Sequence, residues 1–212
     1  MSSRPEVSLA QRKRQLVSGE LTEAALRLLA LKGFDAVTVD EIAATAGVSR
    51  RTFFRYFASK EDVVVRFLTG MGAGMCAELA ARPAGERPSA ALLHAVRVPV
   101  DACADHSDRA LPVVRLILGT PALHARFLER QAQWREDLAA ELVRRPGAVP
   151  RSDLYPRLAA GMALTAFEAV LERWSGSGGG EDPAGLLTRA FAVIAPALDA
   201  DAPPAGGGAG TA

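Results

Sequence analysis

GVSRRTFFRYFASKED, residues Gly47 to Asp62, sets three arginines and four aromatic rings into the eight positions from Arg50 to Phe57. Aromatics are otherwise sparse, with 12 in the 212-residue chain. A core segment does not want the arginines, and a plain solvated face does not want the rings. Two jobs on one short helix reconcile them. At about 100° per residue, Phe53 and Phe57 are i, i+4 neighbours on one face. Arg51, Thr52 and Arg55 lie opposite, and Phe54 and Tyr56 flank the two sides. The spacing predicts that Phe53 and Phe57 anchor the helix in a small core while the ridge of Arg51, Thr52 and Arg55 points outward. Such a ridge fits a DNA major groove, where Arg bonds guanine O6 and N7 with both prongs and the Thr methyl meets a thymine methyl.

The residues before it complete the unit. Leu21, Ala25, Leu28 and Leu29 follow one helical face. That helix is expected to start between Leu9 and Arg12 and to stop at Gly33, a usual place for a left-handed cap. Thr38-Val39-Asp40-Glu41 has the form of a capping box and opens a short helix through Ala46. Gly47 turns the chain, and Ser49 caps the helix from Arg50 to Phe57. Ser59, with Asp62 in the box position, opens a fourth helix to Ala81. Helix, short helix, tight turn and short helix make a helix-turn-helix, and they predict double-stranded DNA as a partner. Lys60 and the N–H groups behind Thr38 and Ser49 suit phosphates.

Beyond Ala81 the pattern stays helical. Helices are expected over residues 89–105, with Pro99 bending the first, over 107–119 capped by Ser107, 121–144, 152–174 and 182–198, with loops at 82–88 and 146–150. Gly176 to Gly180 reads as a flexible linker. The fold class is therefore all-α, with about nine helices. A flexible arm covers residues 1–10, the DNA-binding domain 11–62, a helical bundle for ligand binding and dimerisation 63–199, and a disordered tail 200–212. Charge follows the same division. Residues 1–60 hold ten Lys and Arg against six Asp and Glu, while residues 61–212 hold 15 against 18. A basic head on a mildly acidic body points to nucleic acid.

At these residues the chain resembles the TetR (tetracycline-repressor-like) family of bacterial transcription regulators. The resemblance runs from about Gln15 to Val65 and is carried by Thr38 to Ala43, Ala46 to Ser49, Thr52 to Phe57 and Ser59 to Glu61. It implies a phosphate contact at Thr38, groove contacts at Arg50, Arg51 and Thr52, and backbone contacts at Phe54, Tyr56 and Lys60. Arg50 alternatively touches only a phosphate. The family usually has Tyr where this chain has Phe54, which lacks a hydroxyl to give a phosphate. Tyr56, where His is common, keeps one. Arg115 to Leu123, followed by Trp134, is similar to the branch that includes mycofactocin-type regulators, which implies an acyl-CoA-like effector. The resemblance further implies a ligand-responsive repressor that binds a palindromic operator as a homodimer. A DNA-binding adaptor without a ligand, or an activator, is the alternative.

For the bundle, Met71, Met75, Arg97, Arg115, Phe127, Trp134, Met162 and Phe167 are candidate pocket residues; the apolar ones fit a plain core equally, and the arginines fit surface ion pairs. Leu158, Met162, Thr165, Ala166, Ala169 and Phe191 are candidate dimer contacts, because small residues let helices approach closely. His94, His106 and His124 lack metal-ligand spacing, and no cofactor motif or nucleophile arrangement is seen, so neither a metal, a cofactor nor an enzyme is expected. Cys76 and Cys103 read as small buried hydrophobes in a reducing compartment. No apolar leader follows Met1, and no charge-free stretch exceeds 11 residues. The expectation is a cytoplasmic protein without a membrane partner.

Overall fold

The computed structural model describes residues 9–145 and 153–200. Among them the chain is helical, with no strand: α1 (Leu9–Lys32), α2 (Val39–Thr45), α3 (Arg50–Tyr56), α4 (Lys60–Ala81), α5 (Pro88–Asp105), α6 (Ser107–Gly119), α7 (Pro121–Arg144), α8 (Tyr155–Gly176) and α9 (Pro183–Leu198). The expected arm and tail fall mostly on residues 1–8 and 201–212, and the loop at 146–150 falls on 146–152, all outside the described residues.

Local chemistry sets the first three helix ends. Gly33 takes φ +86° and its N–H returns to Leu29 O at 2.9 Å. Thr38 caps α2 with a reciprocal box: Glu41 N–H donates to Thr38 Oγ1, and the Glu41 carboxylate accepts from Thr38 N–H at 2.9 Å. At the other end, Gly47 at φ +65° donates to Ala44 O and Val48 N–H donates to Ala43 O. These are the paired bonds of a Schellman stop, which requires a left-handed residue and so a glycine. Backbone bonds thereby close the C-terminal end of α2.

Two compact units divide the chain. Met1–Leu68 with Pro112–Phe127 form the first; Thr69–Leu111 with Leu128–Ala212 form the second. The sequence places its single cut after residue 62. In the first unit, α1 packs on α2 and α2 on α3, and Leu21, Ala25, Leu29, Val37, Ile42, Phe53 and Phe57 are buried with Val63 and Val64 at the start of α4. In the second, α5 packs on α9 and α8 packs on both, burying Leu92, Val96, Ala160, Ala163, Phe167, Trp174 and Leu187. Side chains tie its ends. The Asp199 carboxylate accepts from Ser89 N and Oγ, and buried Arg145 donates to Leu79 O and Pro83 O.

Three details depart from expectation. Ser107 begins α6 rather than capping it, and α8 begins at Tyr155, with Pro156 in its first turn. The 176–180 segment is an ordered turn: Gly178 and Gly179 take positive φ, and Gly179 N–H bonds Trp174 O. Its glycines serve left-handed geometry, not looseness.

Candidate nucleic-acid interface

α3 is seven residues long and is held from both ends. Ser49 Oγ accepts from Thr52 N–H at 3.1 Å and shares a 3.0 Å hydrogen bond with Thr52 Oγ1. That bond uses one of the hydrogen-bonding positions of the threonine hydroxyl. Phe53 and Phe57 are fully buried, their centroids 5.5 Å apart. Just past the helix, Ala58 N–H donates to Asp62, and Asp62 N–H donates to Ser59 Oγ, so α4 starts directly behind α3.

Arg51, Arg55 and Phe54 are exposed and Thr52 is half-buried; the four line one open recess. This is the expected outward ridge with one addition. Tyr56 is only 9% exposed and belongs to the buried side of α3, while Phe54 is 45% exposed. The two flanks that sequence treats alike are therefore unequal. Arg55 lies over the Tyr56 ring, 5.3 Å from its centroid.

Arg50 is engaged by its own protein. Its Nη1 donates to Asp40 Oδ2 at 2.6 Å, and its guanidinium sits 5.5 Å from the Phe54 centroid. Lys60 is engaged too: Nζ donates to Phe34 O at 2.7 Å and to Val37 O at 3.1 Å, over the Phe34 ring. It ties the start of α4 to the α1–α2 loop. Thr38 is exposed, but its hydroxyl serves the capping box. Hydrogen bonds from Lys32 and Thr38 pull the Glu41 carboxyl down to about 2, so the box keeps its charge through the ordinary pH range. Asp40 and Lys60 have roles that sequence did not foresee: the partners of each are distant in the chain.

The other candidate residues are scattered. Arg115 and Phe127 belong to the first unit, and Met71, Met75, Arg97, Trp134, Met162 and Phe167 to the second. Arg115 is exposed, Arg97 donates to Thr188 Oγ1, and Met75, Trp134 and Phe167 are buried core. Trp134 packs so closely that a Cβ on Gly72 would lie 2.2 Å from its ring, and it meets Phe167 edge-on at 6.5 Å. Of the dimer candidates, Leu158, Thr165 and Ala169 are exposed and Met162 half-buried, a stripe along α8. Ala166 and Phe191 are corrections: their own bundle buries them. Leu158 is 61% exposed, and Val193 on neighbouring α9 is 79% exposed.

Cys103 is buried, which pushes its thiol up to about 11, but Cys76 is only half-buried. Among the described residues no cluster of His, Cys, Asp and Glu could hold a metal ion. Among the described residues α4 is long and apolar enough, by length and composition, to cross a bilayer, and the bent pair α6 and α7 passes the same test when taken together. One face of α4, at Leu68, Gly72, Met75 and Leu79, is buried within the protein.

Residues 21–67 match the family described as bacterial regulatory proteins, tetR family, and residues 83–199 match the MftR C-terminal domain. The chain is 32% identical over 206 residues to the mycofactocin biosynthesis transcriptional regulator MftR of Mycobacterium tuberculosis, covering 92% of this chain and 98% of that protein. It is 33% identical over 172 residues to the transcriptional regulator TcmR of Streptomyces glaucescens, covering 78% and 76%. Among solved structures, the fatty acid degradation regulator FadR of Bacillus halodurans superposes with a TM-score of 0.64 at 19% identity, covering 92% and 96%. Thermus thermophilus FadR, a repressor in complex with lauroyl-CoA, does so with a TM-score of 0.57 at 27% identity, covering 90% and 100%.

Proposed function

Because this chain belongs to the TetR family of bacterial transcription regulators, we propose that it is a ligand-responsive repressor that grips a palindromic operator as a homodimer in the cytoplasm. One observation carries the DNA half of this reading: Arg51, Thr52, Phe54 and Arg55 form a single outward ridge on a helix whose other face is locked into a core. A helix so short touches few base pairs, and a two-fold pair doubles the contact at half-sites about one turn apart. The stripe of Leu158, Met162, Thr165 and Ala169 on α8 supplies a face for the second copy, and α9, which packs on α8, exposes Val193.

The effector is an acyl-CoA-like compound. Similarity to the lauroyl-CoA complex of Thermus thermophilus FadR supports this. A ligand acts by binding two conformations unequally. α4 is the path available: it starts beside α3 and runs 22 residues to Ala81. One observation favours the alternative, a regulator without effector. Trp134, Phe167 and Trp174 are buried, and Trp134 fills the space up to the Gly72 backbone.

Selection of bound sites from a random DNA pool tests the reading. A two-fold symmetric sequence should emerge, and lauroyl-CoA should release the protein from it. A pool without a preferred sequence contradicts the operator; release by no acyl-CoA, across chain lengths, contradicts the effector.

A further inference from the structure

We propose that Phe54 is a base-reading residue that contacts the 5-methyl group of one thymine in each operator half-site. The inference rests on the operator reading above and names a specificity determinant within it.

The burial of Tyr56 carries the argument. With only Phe53 and Phe57 inward, the outward direction of α3 lies about 100° from Phe54 and about 60° from Thr52. Adding Tyr56 to the buried side turns that direction by roughly 30°, toward Phe54 and away from Thr52. Phe54 then lies about 70° from that direction, nearer to it than Thr52 at about 90°, and shares one recess with Arg51, Thr52 and Arg55. The ring is fixed there from two sides. Phe53 meets it edge-on at 5.5 Å, and the Arg50 guanidinium lies 5.5 Å from its centroid. Asp40 in turn holds Arg50 at 2.6 Å. An exposed ring held by two neighbours spends little conformational freedom on binding.

The ring has no hydroxyl, so it offers a base edge only apolar surface. The major groove presents one apolar group, the thymine methyl. Arg51 and Arg55 on either side supply the charge-assisted donors that a guanine requires, so the recess combines one apolar and two cationic readers.

The test removes that methyl alone. In the operator taken from random selection, each thymine is replaced in turn by deoxyuridine and binding is measured. One symmetry-related thymine should lose about three- to fivefold in affinity, the scale of one buried methyl group. Phe54→Ala should bind thymine and deoxyuridine operators equally, and Phe54→Leu should keep part of the preference. If every deoxyuridine operator binds like its parent, the inference falls while the operator reading stands. The same holds if Phe54→Ala retains the full preference. If selection yields no preferred sequence, both fall.

Discussion

Arg50 and Asp40 form an ion pair at 2.6 Å across the turn of the helix-turn-helix, joining the first residue of α3 to the first turn of α2. The most N-terminal arginine of the recognition helix is thus partly neutralised by its own protein. Exposed pairs of this kind contribute about 0–1 kcal/mol to folding. Such a pair also lowers the net charge at the start of α3.

Asp40→Asn should free one cation for the phosphates. The slope of log affinity against log salt should steepen by about one unit, with thermal stability nearly unchanged. An unchanged slope would mean that Arg50 reaches DNA despite its partner.

Glu41 makes α2 sensitive to acid. Its carboxyl lies at about 2, below the ordinary 4.5, so the folded state favours the charged form. Stability from this group is present above about 4.5 and is lost as pH falls toward about 2. In urea melts between pH 5 and pH 2.5, Glu41→Gln should start less stable and lose less than the parent. Parallel curves would contradict the linkage.

Gly72→Ala sets two effects against each other. Alanine favours a helix by about 1 kcal/mol over glycine. Its Cβ would lie 2.2 Å from Cδ1 and Nε1 of buried Trp134, and overpacking of that kind costs about 1–3 kcal/mol or more. The clash should win, and the melting temperature should fall by several degrees. Trp134→Leu in the Gly72→Ala background should recover part of it. A Gly72→Ala protein as stable as the parent would show that Trp134 moves freely.

The core face of α3 was legible because Phe53 and Phe57 sit four apart, and four apart means one face. The burial of Tyr56 was not. A seven-residue helix leaves two flanks that periodicity treats alike, and which one turns in depends on the elements packed around it. The Arg50–Asp40 pair, ten residues apart across the turn, leaves no periodic trace either. Gly176 to Gly180 reads as flexible from composition, since glycines look the same whether their left-handed freedom is spent on a bonded turn or on motion. Ala166 and Phe191 lie on the two helices expected to meet a second copy, but sequence does not say which face of a helix its own bundle covers, and both are buried.

We assign base reading to the outward ridge of α3. Affinity of Arg51→Ala and Arg55→Ala for the selected operator and for a scrambled duplex, at fixed salt, tests it most directly. Each variant should lose about 1–3 kcal/mol on the operator and much less on the scrambled duplex, so that the ratio of the two collapses. Wild-type affinity and wild-type discrimination in both variants would contradict the account.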